Sequence, residues 1–279
     1  MIKNLKYMFL FFMVGGCVNN VHKSQIPLEN GCVMNLYFAN NIAESVDYAF
    51  SCGNTFEAFE IIDKNKNNEN SVFNAELGQI LFHYGYTDQA VVYFNKAIKL
   101  NEAQGYYGLA SIYNLSGSYK DIGRVIELLN RSIDLGYDDA YYNLGMVYLD
   151  EEEFKDIEKA ENYLNESLRT GNPRAFYGLG EVSIENKDFN NAEMYFKKAV
   201  EYQVFLEGYQ GLMFLYGFYP EYLGYDLDKS FYYMNKTLEL TDDEFVYQSA
   251  SEFYELEGKY KDSKKSAYYA KLAKEKAVN

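Results

Sequence analysis

Histidine, cysteine, proline and basic residues are all scarce in this sequence, and each shortage removes a class of function. Two His in 279 residues, His22 and His83, leave almost none of the commonest general base. Together with three Cys they are too few and too scattered to hold a zinc ion. No G-x-S-x-G nucleophile elbow and no G-x-x-x-x-G-K-[ST] phosphate loop occurs. No acidic run has the spacing of an EF-hand calcium loop. The runs Asp150–Glu153 and Asp242–Glu244 fall in predicted turns and read as solvated loops. Only three Pro leaves room for long helices, because Pro removes a donor from a helix interior. Lys and Arg total 26 against 41 Asp and Glu, a formal charge of −15. Such a surface repels nucleic-acid phosphates and anionic membranes and tolerates basic partners. The expectation is a protein with no catalysis, no metal, no cofactor and no nucleic acid.

What is present is apolar and aromatic. Hydrophobic residues make up 48% of the chain, with 30 Tyr and 20 Phe. Disordered chains are poor in aromatics, so this one is expected to fold.

The first residues carry an address. Lys3 and Lys6 precede the short apolar run Tyr7–Val14, which is too short to span a bilayer. Small residues then lead to a Cys, as at a signal cleavage site. Val14-Gly15-Gly16-Cys17 resembles the bacterial lipobox. That resemblance implies a signal peptide over 1–16 and a lipid on Cys17. Loss of 1–16 would remove two Lys and no acid, leaving the rest more acidic. Residues 17–30, polar and without periodicity, read as a lipidated tether. The expected location is a bacterial cell envelope, with Val18 favouring the outer over the inner membrane. Cys32 and Cys52 then remain. In an exported chain, which sits in an oxidising compartment, a disulfide between them is the default, with two buried free thiols as the alternative. Residues 31–72 read as a helical capping region. Ala43–Phe50 forms one helix, and Asn54 or Thr55 caps another that runs to Ile62.

From Phe73 onward a two-helix pattern recurs six times. Helix A carries a pair, Leu77-Gly78, Leu109-Ala110, Leu144-Gly145, Leu179-Gly180, Leu212-Met213 and Ser249-Ala250. Four residues after each first member stand Leu81, Tyr113, Tyr148, Ser183, Tyr216 and Phe253. Helix B carries small, large, small: Ala90/Phe94/Ala97, Val125/Leu129/Ser132, Ala160/Leu164/Ser167, Ala192/Phe196/Ala199, Ser230/Met234/Thr237 and Ser266/Ala270/Ala273. Spacings of three and four put each set on one helix face. The small residue lets the helices approach, so Met213 predicts looser packing in the fifth unit. Gly136, Gly171 and Pro173 mark helix exits and starts. The polar segment Lys271–Asn279 is expected to front solvent.

Two helices per unit at a period of 32 to 37 residues indicate an all-α fold, an α-solenoid of antiparallel helix pairs over 73–279. The positions resemble the tetratricopeptide consensus. Asp156-Ile-Glu-Lys159-Ala160 and Asp226-Leu-Asp-Lys229-Ser230 resemble the D-x-x-K-A segment of Sel1-like repeats. Units one and four have the compact tetratricopeptide loop; the others have longer ones. In that family A helices line a groove. The resemblance places Tyr107, Tyr142, Tyr177 and Tyr247 at groove positions, with Arg174 beside them. It implies a protein or peptide partner there, inter-repeat packing being the alternative role for the tyrosines. The implied function is an envelope-anchored adaptor. Two other roles known for Sel1-like proteins are neutralising a periplasmic toxin such as a phospholipase, and weak β-lactam binding. The second goes with cysteine pairs that this chain lacks after residue 72.

Overall fold

The computed structural model describes residues 42–115, 117–219, 226–241, 243–256 and 258–277. The expected signal peptide, the tether, Cys17 and Cys32 lie outside the described residues. So does Asp242 of the second acidic run.

Fourteen α-helices and no strand occur among the described residues. An N-terminal pair, α1 (Ile42–Ser51) and α2 (Thr55–Lys64), precedes six more. These are α3 (Ser71–His83) with α4 (Thr87–Lys99), α5 (Ala103–Tyr113) with α6 (Ile122–Asp134), and α7 (Asp139–Asp150) with α8 (Ile157–Arg169). Then follow α9 (Ala175–Glu185) with α10 (Phe189–Glu201), α11 (Phe205–Phe218) with α12 (Leu227–Leu240), and α13 (Glu244–Phe253) with α14 (Ser263–Ala277). In the first unit α1 packs on α2, and α3 to α6 pack in succession; in the second α8 to α14 do; α3 also meets α5, as α9 meets α11. The chain divides into two compact units, Met1–Asn143 and Leu144–Asn279. Cys52, just past α1, is disulfide-bonded. Asn54 caps α2, accepting from the Glu57 amide at 3.3 Å.

The interior is built from wedges. Phe94, Leu164 and Phe196 of the B helices each sit between small residues of two A helices, their own and the next. A Cβ added to Gly78 would lie 2.7 Å from the Phe94 ring, and one added to Gly108 only 2.1 Å from it. In the second unit Phe196 stands in the same way between Gly180 and Gly211, at 2.4 Å from each such Cβ. Leu164 fits between Gly145 and Gly178. The sequence pattern identified the first small residue of each trio. The second, on the following helix, becomes visible only when the pairs are stacked. Phe94, Leu164 and Phe196 are buried, which stabilises each by roughly 1.5–3 kcal/mol relative to exposure.

Helix-B starts are fixed by a recurring cap. Asp121, Asp156, Asp188 and Asp226 each accept a hydrogen bond from the amide three residues on, satisfying an orphan donor of the first turn. Asp262 does the same for Lys264 and Lys265. The backbone N–H of each cap also donates to a carbonyl at the end of the preceding A helix: Asp121 to Tyr113, Asp156 to Tyr148, Asp188 to Ser183 and Asp226 to Tyr216, all at 2.8–2.9 Å. In the first pair Tyr86 donates to Leu81. In the sixth Asp262 donates to Tyr254, one residue beyond the expected Phe253. The register of α13 is therefore shifted by one. Ser251, not Ala250, takes the small-residue place, and its hydroxyl bonds the Ser266 carbonyl at 3.0 Å.

One further expectation is corrected. Met213 does not loosen the fifth pair: it is 1% exposed and packs with Met234, Ala250, Phe253 and Tyr254. Close approach moves instead to Gly217, where an added Cβ would meet the Ser230 hydroxyl at 2.3 Å, and that hydroxyl donates to the Met213 carbonyl. The polar segment from Lys271 forms the end of α14, which continues through Ala277, with Lys271, Lys274 and Lys276 exposed and Ala273 of the helix-B set buried. Gly136 and Gly171 do end α6 and α8, at φ of +87° and +93°, where a residue without Cβ costs nothing.

Candidate partner-binding surface

The four tyrosines expected to line one groove have different surroundings. In the first unit, Tyr107 on α5 is half-buried, with its ring 5.0 Å from Tyr137. Tyr142 on α7 is 3% exposed. In the second unit, Tyr177 on α9 is 2% exposed, with its ring 5.8 Å from Phe196. Tyr247 on α13 is half-buried and stacked on Tyr269 at 6.0 Å. Burial assigns Tyr142 and Tyr177 to packing, because their rings fill space inside the stack and leave no face for a partner. Tyr107 and Tyr247 keep part of their surface. The side chain of Arg174 pairs with Glu207 at 3.2 Å, each about a quarter exposed, so its charge is answered by the next A helix, α11.

Aromatic surface appears elsewhere in the second unit, where the sequence pattern did not point. Phe205 stacks on Tyr209 at 6.2 Å, Tyr209 on Tyr233 at 5.9 Å, and Tyr232 meets Tyr233 edge-on at 5.1 Å. The two ends of this row are open: Phe205 is 42% and Tyr232 54% exposed. Burial beside neighbouring rings and Glu193 raises the Tyr233 hydroxyl above its ordinary pKa, burial being the larger cause. The signal was available in the pair Tyr232-Tyr233, since adjacent residues on a helix cannot both face the same core.

Of the first acidic run, Asp150 ends α7 and is half-buried, as is Glu151. Lys155 bonds Glu185 on α9 at 3.1 Å, both largely buried, while Glu152 and Glu153 are exposed. No group of His, Cys, Asp and Glu among the described residues could hold a metal ion. No described helix is long and apolar enough to cross a membrane.

The tetratricopeptide repeat family model matches residues 73–104 and 173–203, the two pairs with compact loops. Among solved structures, the chain is similar to a Sel1 repeat protein from Oxalobacter formigenes, at 16% identity and a TM-score of 0.60 over 84% of this chain and 97% of that one. A tetratricopeptide repeat protein from Parabacteroides merdae aligns with a TM-score of 0.63 at 16% identity, over 85% and 93% of the two chains. The protective antigen c5321 of uropathogenic Escherichia coli aligns with a TM-score of 0.55 at 16% identity, over 86% of this chain and 56% of its own. No curated protein matches the chain. Paired helices stacked in sequence, shared wedges and caps, and these likenesses together make this a repeat protein with the Sel1-like and tetratricopeptide α-solenoid fold.

Proposed function

We propose that this chain is a non-catalytic adaptor that binds a protein partner and is held at a bacterial envelope by a lipid on Cys17. The observation that carries the binding half is the open aromatic row Phe205–Tyr209–Tyr233–Tyr232. Tyrosine offers apolar area and a hydroxyl at small entropic cost, which suits recognition. Packing uses Tyr142 and Tyr177, so the partner contacts fall to this row and to the exposed parts of Tyr107 and Tyr247. The acidic chain favours a basic partner. The lipobox-like Val14–Cys17 supports the location.

Two measurements test the reading. Affinity capture from envelope extracts should recover a partner whose binding drops with Phe205→Ala and Tyr232→Ala, both at exposed positions that leave the fold intact. Capture unchanged by both variants sinks the binding half. Palmitate labelling in cells should mark the chain and be lost in Cys17→Ala. An unlabelled chain sinks the anchoring half.

A further inference from the structure

Charge is unevenly placed in this acidic chain. Residues 258–277 hold seven of its 26 basic residues and only two of its 41 acids, Asp262 and Glu275. All seven lysines are exposed. The helix geometry explains why. Ser266 and Ala273 of α14 are buried, Tyr269 and Ala270 half-buried, and this stripe packs on α13. The opposite side carries Lys264, Tyr268, Lys271 and Lys274, whose spacings of three and four align them in one row. Tyr268 stands in the middle, 58% exposed, its ring 5.2 Å from Tyr269. Some neighbouring charges have structural duties: Lys265 covers the Tyr254 ring at 5.0 Å and Lys259 pairs with Asp228. Lys271 reaches Glu275 at 3.5 Å, with both side chains more than half exposed. Lys264 and Lys274 make no salt bridge among the described residues.

Three lysines and one open tyrosine on a rigid face suit a surface that is anionic at its top and apolar just beneath. We infer that this face of α14 docks on anionic membrane headgroups, with the ammonium groups of Lys264, Lys271 and Lys274 on phosphates and Tyr268 at headgroup level. Lysines near such a surface are attracted over about a Debye length. Their stems can lie along the interface while the charge reaches a phosphate, and tyrosine is favoured where water meets lipid. The apolar stripe of α14 is already used against α13, so the helix does not insert. Contact is electrostatic and reversible. The remaining acidic surface is repelled by the same headgroups, so docking also orients the second unit. An acidic region of a second copy could meet the same lysines. The membrane is chosen because Tyr268 lies within the row, and that choice rests on the envelope location proposed above.

The test uses the whole chain carrying Cys17→Ser, so that no acyl chain can attach. Co-sedimentation is measured with phosphatidylcholine vesicles and with phosphatidylcholine–phosphatidylglycerol vesicles. The expected result is a preference for the anionic vesicles that falls about tenfold or more in Lys264→Gln/Lys271→Gln/Lys274→Gln. The preference also collapses between about 0.1 M and about 1 M salt. Tyr268→Ala should give a smaller loss. The control Lys64→Gln/Lys99→Gln/Lys197→Gln, with equal charge change, should bind like the parent. Equal binding to both vesicle types, or no effect of the triple variant with circular dichroism unchanged, overturns the inference. Salt-sensitive self-association without vesicle preference, abolished by the triple variant, assigns the face to a second copy and also overturns it. Cys17 labelling is read separately, so failure of the anchor and failure of this face are distinguishable.

Discussion

The compact helix pairs and the long-looped ones solve the same joint differently. The α3/α4 and α9/α10 pairs cross from helix A to helix B in three residues, 84–86 and 186–188, with Gly85 and Lys187 at positive φ. The α5/α6 crossing takes eight, 114–121. Both kinds end in the same hydrogen bond from the cap N–H to the A-helix carbonyl. They differ in what sits above that bond. In four long-looped pairs the acceptor residue is a tyrosine with a cation over its ring: Arg124 on Tyr113, Lys159 on Tyr148, Lys229 on Tyr216 and Lys265 on Tyr254, at 4.4–5.1 Å. In the compact pairs the acceptors are Leu81 and Ser183, and the residues three after the caps are Gln89 and Asn191. Tyrosine and cation occur together, and with the longer crossing. The D-x-x-K segment is thus two devices in one turn: its acid caps helix B, and its base covers the ring that ends helix A.

The comparison can be broken at the element both kinds share. Phe196→Ala in the compact fourth pair should cost about 3–5 kcal/mol, and Leu164→Ala in the long-looped third about 2–5 kcal/mol, both read from urea denaturation. A loss under about 1 kcal/mol in either would show that the wedge is not common to the two. Ser183→Tyr imposes the long-loop residue on a compact joint. Ser183 is buried and donates to the Leu179 carbonyl, so overpacking should cost about 1–3 kcal/mol; a stabilised protein would show that loop length does not select the residue. The cap is shared, so Asp121→Ala and Asp188→Ala should each cost about 1 kcal/mol. The cation belongs to one kind alone. Lys229→Gln should cost about 0.5–1 kcal/mol, while Asn191→Gln should be silent in the same melt.

The smallest effects are in pH. A cap bond from the Lys159 amide and the Lys159 side chain hold Asp156 below its ordinary 3.8, and hydrogen bonds from Lys259 and Tyr260 do the same for Asp228. Their contribution is therefore present above the unfolded value and lost as pH falls through the folded one. The Tyr119 hydroxyl donates to Asp88 and the Tyr260 hydroxyl to Asp228, raising both tyrosines above 10.0. That contribution is full below 10 and fades as pH rises through the folded value. Tyr119→Phe should flatten the alkaline limb of stability against pH and leave the acid limb unchanged; a change in the acid limb alone would contradict the assignment. The α7/α8 loop carries Phe154 two residues before its cap, so it has no hydroxyl to make this bond.

The repeats were legible because their information is local. Helical spacing puts Leu164, Ala160 and Ser167 on one face whatever lies opposite, and an Asp before a helix caps it with atoms three residues away. Asn54 is legible in this way, as are Gly136 and Gly171, while Asp156 and Asp226 stand out only through the D-x-x-K-A resemblance and are caps in the structure. The candidate surface was less legible. The resemblance places Tyr142 and Tyr177 at groove positions, but both are buried, and the ring beside Tyr177 is Phe196 of the helix paired with its own.

By itself, then, the sequence determined the helix pairs, their caps, their turns and their number, since these depend on residues within a turn or a loop of one another. Tertiary structure decided which small residues pinch each wedge, the one-residue shift in α13, and which aromatics remain at the surface. Those outcomes depend on neighbours some thirty residues apart, such as Gly178 and Gly145 on either side of Leu164. Burial is a property of the assembled stack, and no single repeat contains it.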